Sequence, residues 1–143
     1  MARKDRYLEH LASVPLLAGC TKAQLKEVAS IVTDLMLPAG TVLMSEGATG
    51  HDFVIILNGT ALVKRGGRKV NTLGAGDMVG ELSLLTHRPR NATVVAQTDL
   101  EVLVIAEREF AQLLDDVPGL ARKLLVAVAE RLADATKAAE AAS

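Results

Sequence analysis

Aromatic side chains are scarce: of 143 residues two are Phe, one is Tyr and none is Trp. A folded core must then come from Val, Leu, Ile and Ala, and with half of the residues apolar the composition is that of a globular protein. One cysteine, Cys20, excludes an internal disulfide and a metal cluster built on cysteines, and fits a reducing compartment. It is read as a small buried or half-buried residue without chemistry. No excess of positive charge marks a nucleic-acid-binding face, since 16 Lys and Arg stand against 17 Asp and Glu. No apolar run approaches the ~20 residues of a membrane helix, and MARKDRYLEHL contains no apolar signal core. The expected location is cytoplasmic, with neither nucleic acid nor membrane as partner. His10, His51 and His87 are scattered over unlike segments, so no metal site is expected.

The length suits a single domain, 1–143. Its expected parts are a helical N-terminus over about 5–30, a β-roll over about 31–106 and C-terminal helices over about 107–139. Asp5 and Thr21 are the expected N-caps of two short helices, and Leu25, Val28 and Ala29 recur at helical spacing in the second. From Ile31 the period shortens. Apolar residues alternate with polar ones in TDLMLPAGTVLMSEGATG, then in runs over 53–57, 59–64, 69–73, 92–96 and 100–105. Asn58-Gly59 and Gly66-Gly67 are read as hairpin signals, because these residues tolerate positive φ. Short strands at roughly ten-residue spacing imply an antiparallel sandwich or jelly-roll barrel, a mainly β fold. Met36, Met44 and Met78 on those strands are read as core filler.

The chain ends in helix, first at 108–114 and then after Pro118. Leu120, Leu124, Ala127, Val128, Leu132 and Ala135 make one apolar stripe, and Leu125, Val126 and Ala129 extend it around the helix. A helix apolar over more than one face has two things to pack against. Here they are its own barrel and either a partner chain or a ligand.

The stretch GELSLLTHRPRNATV, Gly80 to Val94, joins unlike charges. In GAGDMVGELSLL the chain runs from strand to glycine to a short helical turn, whose free N–H groups at Leu82 and Ser83 suit an anion. Arg90 follows, with a guanidinium fork that matches phosphate oxygens in pairs. Glu81 would repel a phosphate placed directly against it, but could accept from a sugar hydroxyl nearby. Phosphate and ribose in a pocket of Val, Leu and Ala describe a nucleotide of low charge. A triphosphate would need more cations and a metal, and neither a GxxxxGK[ST] loop nor a magnesium site is present.

This stretch resembles the phosphate-binding cassette of the cyclic nucleotide-binding domain family, which includes catabolite activator proteins, regulatory subunits of cAMP-dependent kinase and cyclic nucleotide-gated channels. The family pattern is Gly-Glu-Leu-small-Leu, a spacer, then Pro-Arg-small-Ala-Thr-Val, and only the residue after the arginine departs from it. The resemblance extends over nearly the whole chain. It implies an eight-stranded antiparallel jelly roll, a double-stranded β-helix, with N-terminal helices and two C-terminal helices. It further implies that Arg90 binds the exocyclic phosphate oxygens and Glu81 accepts from the ribose 2′-hydroxyl. The amides of Leu82, Ser83 and Asn91 would complete the cradle, Gly80 would permit close backbone approach, and Ala92 belongs to the same set. Val63, Leu73 and Val79 would surround sugar and base. Arg131 is the implied partner of Glu81, with Leu132, Ala135 and Thr136 facing the base. Asn91 stands where the family has Ala, Ser or Thr, which leaves the choice of base open; cAMP is the first expectation and cGMP the second.

His87 and Arg88 are read as a solvated tip. Ser83 has no His and Asp partners for acyl transfer, and no base or metal is present to attack a phosphate, so no enzyme is expected. No helix-turn-helix, kinase or channel segment is expected after the last helix. A signal would then pass to a separate protein effector or through a homodimer on the C-terminal helix. The alternatives are a jelly-roll interaction domain that no longer uses a nucleotide, and a cyclic nucleotide buffer.

Overall fold

The computed structural model describes residues 8–9, 11–14, 17–50, 52–80, 89–117, 119–123, 125–126, 128–130 and 133. Helix α1 (Lys22–Ile31) precedes strands β1 (Thr33–Leu37), β2 (Val42–Met44), β3 (Asp52–Asn58), β4 (Ala61–Arg65), β5 (Arg68–Leu73), β6 (Met78–Val79), β7 (Thr93–Ala96) and β8 (Leu100–Ala106). Helix α2 (Glu107–Asp116) follows, and the backbone is helical again over 120–123, 125–126 and 128–130.

Thr21 caps α1 as expected. Its hydroxyl accepts from the Gln24 N–H at 3.1 Å, and the Gln24 side chain accepts in return from the Thr21 N–H at 2.8 Å. This reciprocal pair satisfies two of the donors that a helix start leaves open. Asp5, the other expected cap, lies outside the described residues. Leu25 and Val28 are buried and Ala29 packs beside them, so the helical spacing read from the sequence marks the inner face.

The strands form two four-stranded sheets, ordered β1-β8-β3-β6 and β2-β7-β4-β5. Four of the antiparallel pairings are nested: β4 with β5, β3 with β6, β2 with β7 and β1 with β8. The chain is thus one long hairpin centred on Gly66-Gly67, rolled so that successive nested pairs fall in alternate sheets. This is the eight-stranded antiparallel jelly roll.

Asn58-Gly59 does not close a hairpin, contrary to expectation. β3 and β4 lie in different sheets, and the turn carries the chain from one to the other. Gly59 is needed there for two reasons. Its φ is +96°, and a Cβ would sit 2.8 Å from both Leu100 Cδ2 and Thr98 Oγ1. The glycine signal was right about the turn, while the identity of the partner strand is a long-range matter.

Two apolar clusters share the β1-β8-β3-β6 sheet. Phe53, Ile55, Leu57, Met78, Leu103 and Ile105 pack against the helices, including Leu25, Val28, Phe110 and Leu113. Val54, Ile56, Val79, Leu100 and Val102 face the interior of the roll, where they meet Ala61, Leu73, Val94 and Ala96 of the other sheet. β3 is buried on both faces, which explains the unbroken run FVIIL in place of an alternating one. The two phenylalanines of the chain stack on each other, with Phe53 and Phe110 centroids 4.7 Å apart and rings inclined by 27°.

Of the three methionines read as core filler, Met78 is buried and Met44 packs partly against the roll cluster. Met36 is not core: it is 71% exposed, because β1 is the outer strand of its sheet. Cys20 is a half-buried free thiol. In the closing helical segment Leu120 is buried and Val128 packs partly against the helical cluster, whereas Leu125 and Val126 are 68% and 49% exposed.

Candidate functional site

β6 ends at Val79 and delivers Gly80 to the edge of the roll. β7 begins at Thr93, so Arg90, Asn91 and Ala92 form its approach. Arg90 is the one charged residue in the buried set of described residues, with only 8% of its surface exposed. The neighbouring Pro89 and Asn91 are exposed and Ala92 is buried.

A buried guanidinium requires acceptors, because its desolvation costs several kcal/mol if unpaired. Here Nη1 donates to the Gly80 carbonyl at 3.0 Å and Nη2 to the Asp52 carbonyl at 2.9 Å. Burial lowers the Arg90 pKa from its ordinary value, and the Asp52 charge acts in the opposite direction. The group stays cationic at any pH the fold would meet.

The backbone of Arg90 is held as firmly as its side chain. Its N–H donates to the Ala48 carbonyl at 2.8 Å, and its carbonyl accepts from the Gly47 N–H at 2.8 Å. Next to this rung the Glu46 N–H donates to the Thr93 hydroxyl at 3.0 Å, and the Glu46 carboxylate accepts from the Gly66 N–H at 3.0 Å. The β2–β3 connection therefore forms one wall around the arginine. The sequence reading placed EGATG at the end of an alternating strand run and gave it no part in the site; its closely spaced glycines, Gly47 and Gly50, were the available signal.

Gly80 has φ +91°, and a Cβ there would run into Arg90 Nη1 and stand 2.8 Å from the Asp52 carbonyl oxygen. Both the conformation and the space demand glycine. Leu73 and Val79 are buried in the roll cluster and Val63 packs partly against it, so the three apolar residues expected around a ligand share one interior. Asn91 is exposed beside Arg90. Glu81, Leu82, Ser83, Arg131, Leu132, Ala135 and Thr136 lie outside the described residues, as do His87 and Arg88. Among the described residues no three or more His, Cys, Asp or Glu side chains are grouped to hold a metal ion.

A buried, immobilised cation at the mouth of an apolar roll, reached by backbone from two directions, is suited to an anionic ligand with an apolar part. The family model described as "Cyclic nucleotide-binding domain" matches residues 35–117, more than half of the chain. The chain belongs to the cyclic nucleotide-binding domain family. Among curated family relatives, a cAMP-dependent protein kinase regulatory subunit from Hypocrea atroviridis is 33% identical over 122 residues, 85% of this chain and 26% of the relative. The chain spans about a third or less of the curated relatives it matches. A solved structure of the regulatory domain of Toxoplasma gondii PKA with cAMP superposes with a TM-score of 0.77 at 27% identity, over 90% of this chain and 51% of that one. The Thermus thermophilus catabolite activator protein superposes with a TM-score of 0.78 at 27% identity, over 88% of this chain and 62% of that one. Among the described residues of this family member, no helix is long and apolar enough to cross a membrane.

Proposed function

We propose that this chain is a cyclic nucleotide-sensing regulatory module, a single domain that binds cAMP foremost and cGMP second, without catalysing a reaction. The observation that carries the reading is the Arg90 guanidinium, buried but answered by two carbonyl dipoles among the described residues. A cyclic phosphate would supply the full counter-charge through charge-assisted hydrogen bonds, each contributing about 1.5–3 kcal/mol. Relatives named as cAMP-dependent kinase regulatory subunits, and one solved with cAMP, support the choice of nucleotide.

In this reading Arg90 takes the exocyclic oxygens and Glu81 the ribose 2′-hydroxyl, with Arg131 pairing Glu81. The amides of Leu82, Ser83, Asn91 and Ala92 line the phosphate, and Gly80 lets the backbone approach. Val63, Leu73 and Val79 cover sugar and base. The output is movement of the closing helix, which ligand shifts only by as much as it binds one arrangement better than the other. The exposed Leu125 and Val126 on that helix favour an effector protein or a second copy as recipient. The proposed location is cytoplasmic, with no nucleic acid partner.

The test is thermal denaturation with cAMP, cGMP, 5′-AMP and cyclic dinucleotides, since only a ligand that prefers the folded state raises the midpoint. A rise with cAMP or cGMP, and none with 5′-AMP, is the expected outcome. No rise with any of them replaces this reading with that of an interaction domain.

A further inference from the structure

The Arg90 guanidinium has a glycine on each side, and only one of them belongs to the stretch that carries it. Gly80 stands against Nη1. On the opposite side is Gly50, in the β2–β3 connection, where a Cβ would overlap Arg90 Nε, Cζ and Nη2 together. The reason for glycine differs between the two. Gly80 has positive φ, whereas Gly50 does not, so φ is not what calls for glycine at Gly50. What excludes a side chain at Gly50 is the space already filled by the guanidinium. No far end of a flexible chain could swing aside at low cost, because Nη1 and Nη2 are both tied to main-chain carbonyls.

We infer that Gly50 is a positioning residue of the anion site: its missing side chain lets the Arg90 plane lie against the β2–β3 backbone, at the place where its fork meets the Asp52 and Gly80 carbonyls. The inference rests on the reading of Arg90 as the phosphate ligand. A single methyl group at Gly50 would push the guanidinium off the wall and misalign it for a bidentate contact.

Gly74 provides the control. It too lacks positive φ, and a Cβ there meets nothing within 4 Å. Gly50→Ala is expected to weaken cAMP binding by at least about tenfold in calorimetry, while Gly74→Ala leaves it within about twofold. A thermal-melting cycle of wild type, Gly50→Ala, Arg90→Ala and the double variant separates positioning from general loop damage. The melting penalty of Gly50→Ala should shrink to near zero once Arg90 is alanine, because the overlapping atoms are gone. Arg90→Ser serves if Arg90→Ala does not fold. A penalty that persists unchanged in the arginine-free background, or full cAMP affinity in Gly50→Ala, overturns the inference. Failure of the wild-type chain to bind cAMP or cGMP instead overturns the reading of the site, and the melting cycle still decides the role of Gly50.

Discussion

Arg90 Nη1 donates to the carbonyl oxygen of Gly80 at 3.0 Å, which ties together the two ends of the Gly80–Arg90 stretch. The same guanidinium reaches the Asp52 carbonyl through Nη2, so one side chain joins the start of β3, the end of β6 and the approach to β7. Such a group serves structure and, in the proposed reading, binding as well. Arg90→Ala should weaken cAMP binding by at least about tenfold, roughly 1.4 kcal/mol, and also lower stability. Arg90→Lys should not restore affinity, because an ammonium cannot serve both carbonyls and two phosphate oxygens with one plane. Calorimetry on both variants checks this, and wild-type affinity in either contradicts the assignment.

Glu81 is expected to act on the sugar and not on the phosphate. Glu81→Ala should cost a similar or smaller factor than Arg90→Ala. Removing the 2′-hydroxyl from the ligand should cost the wild type about as much as the mutation does, and should cost the variant little more. Titrations of both proteins with cAMP and 2′-deoxy-cAMP form the cycle. Equal sensitivity to the missing hydroxyl in wild type and variant would remove Glu81 from the ribose.

The stacked phenylalanines join the sheet to α2, and they are the only Phe, Tyr or Trp residues among the described residues. Phe110→Ala should destabilise the domain by about 3–5 kcal/mol, and Phe110→Leu by clearly less, because the cavity is smaller. Urea denaturation measures both. A loss under about 1 kcal/mol for the alanine variant would mean that α2 is not anchored through this ring.

Glu27 of α1 has its carboxyl pKa raised by loss of hydration, then by a hydrogen bond with Asp116 of α2 and by the charge of that residue. A carboxyl with a folded value above its unfolded one binds more protons in the folded state, so its effect on stability is most favourable at low pH. That contribution fades as pH rises through the ordinary glutamate range, ~4.3, and the interval just above it. Asp116→Asn should therefore flatten this part of the stability profile and stabilise the protein relative to wild type at neutral pH. Denaturant midpoints measured from pH 4 to pH 7 for the two proteins test it, and parallel profiles would contradict the pairing.

The chemistry proposed for the site rests on a local stretch of sequence. Gly80, Glu81, Arg90 and Asn91 lie within twelve consecutive positions, and the propensities of glycine for positive φ and of arginine for paired oxygens act at single residues. The cap at Thr21 and the turn at Gly66-Gly67 belong to the same class, since their partners lie within three residues or directly across a tight loop.

What local signals could not carry was the pairing of distant segments. Asn58-Gly59 has the residues of a hairpin yet links two sheets, because β3 finds its neighbours in β8 and β6. Met36 has the side chain of a core residue yet lies outside, because β1 takes the outer place beside β8. Gly50 and the Asp52 carbonyl meet Arg90 across about forty residues of chain, and only the nested roll brings them together. By itself the sequence determined where the turns fall and which residue types are available for the proposed anion site. The tertiary structure decided which backbone carbonyls orient the arginine and which glycine makes room for it, since close packing depends on contacts between segments that carry no mark of one another.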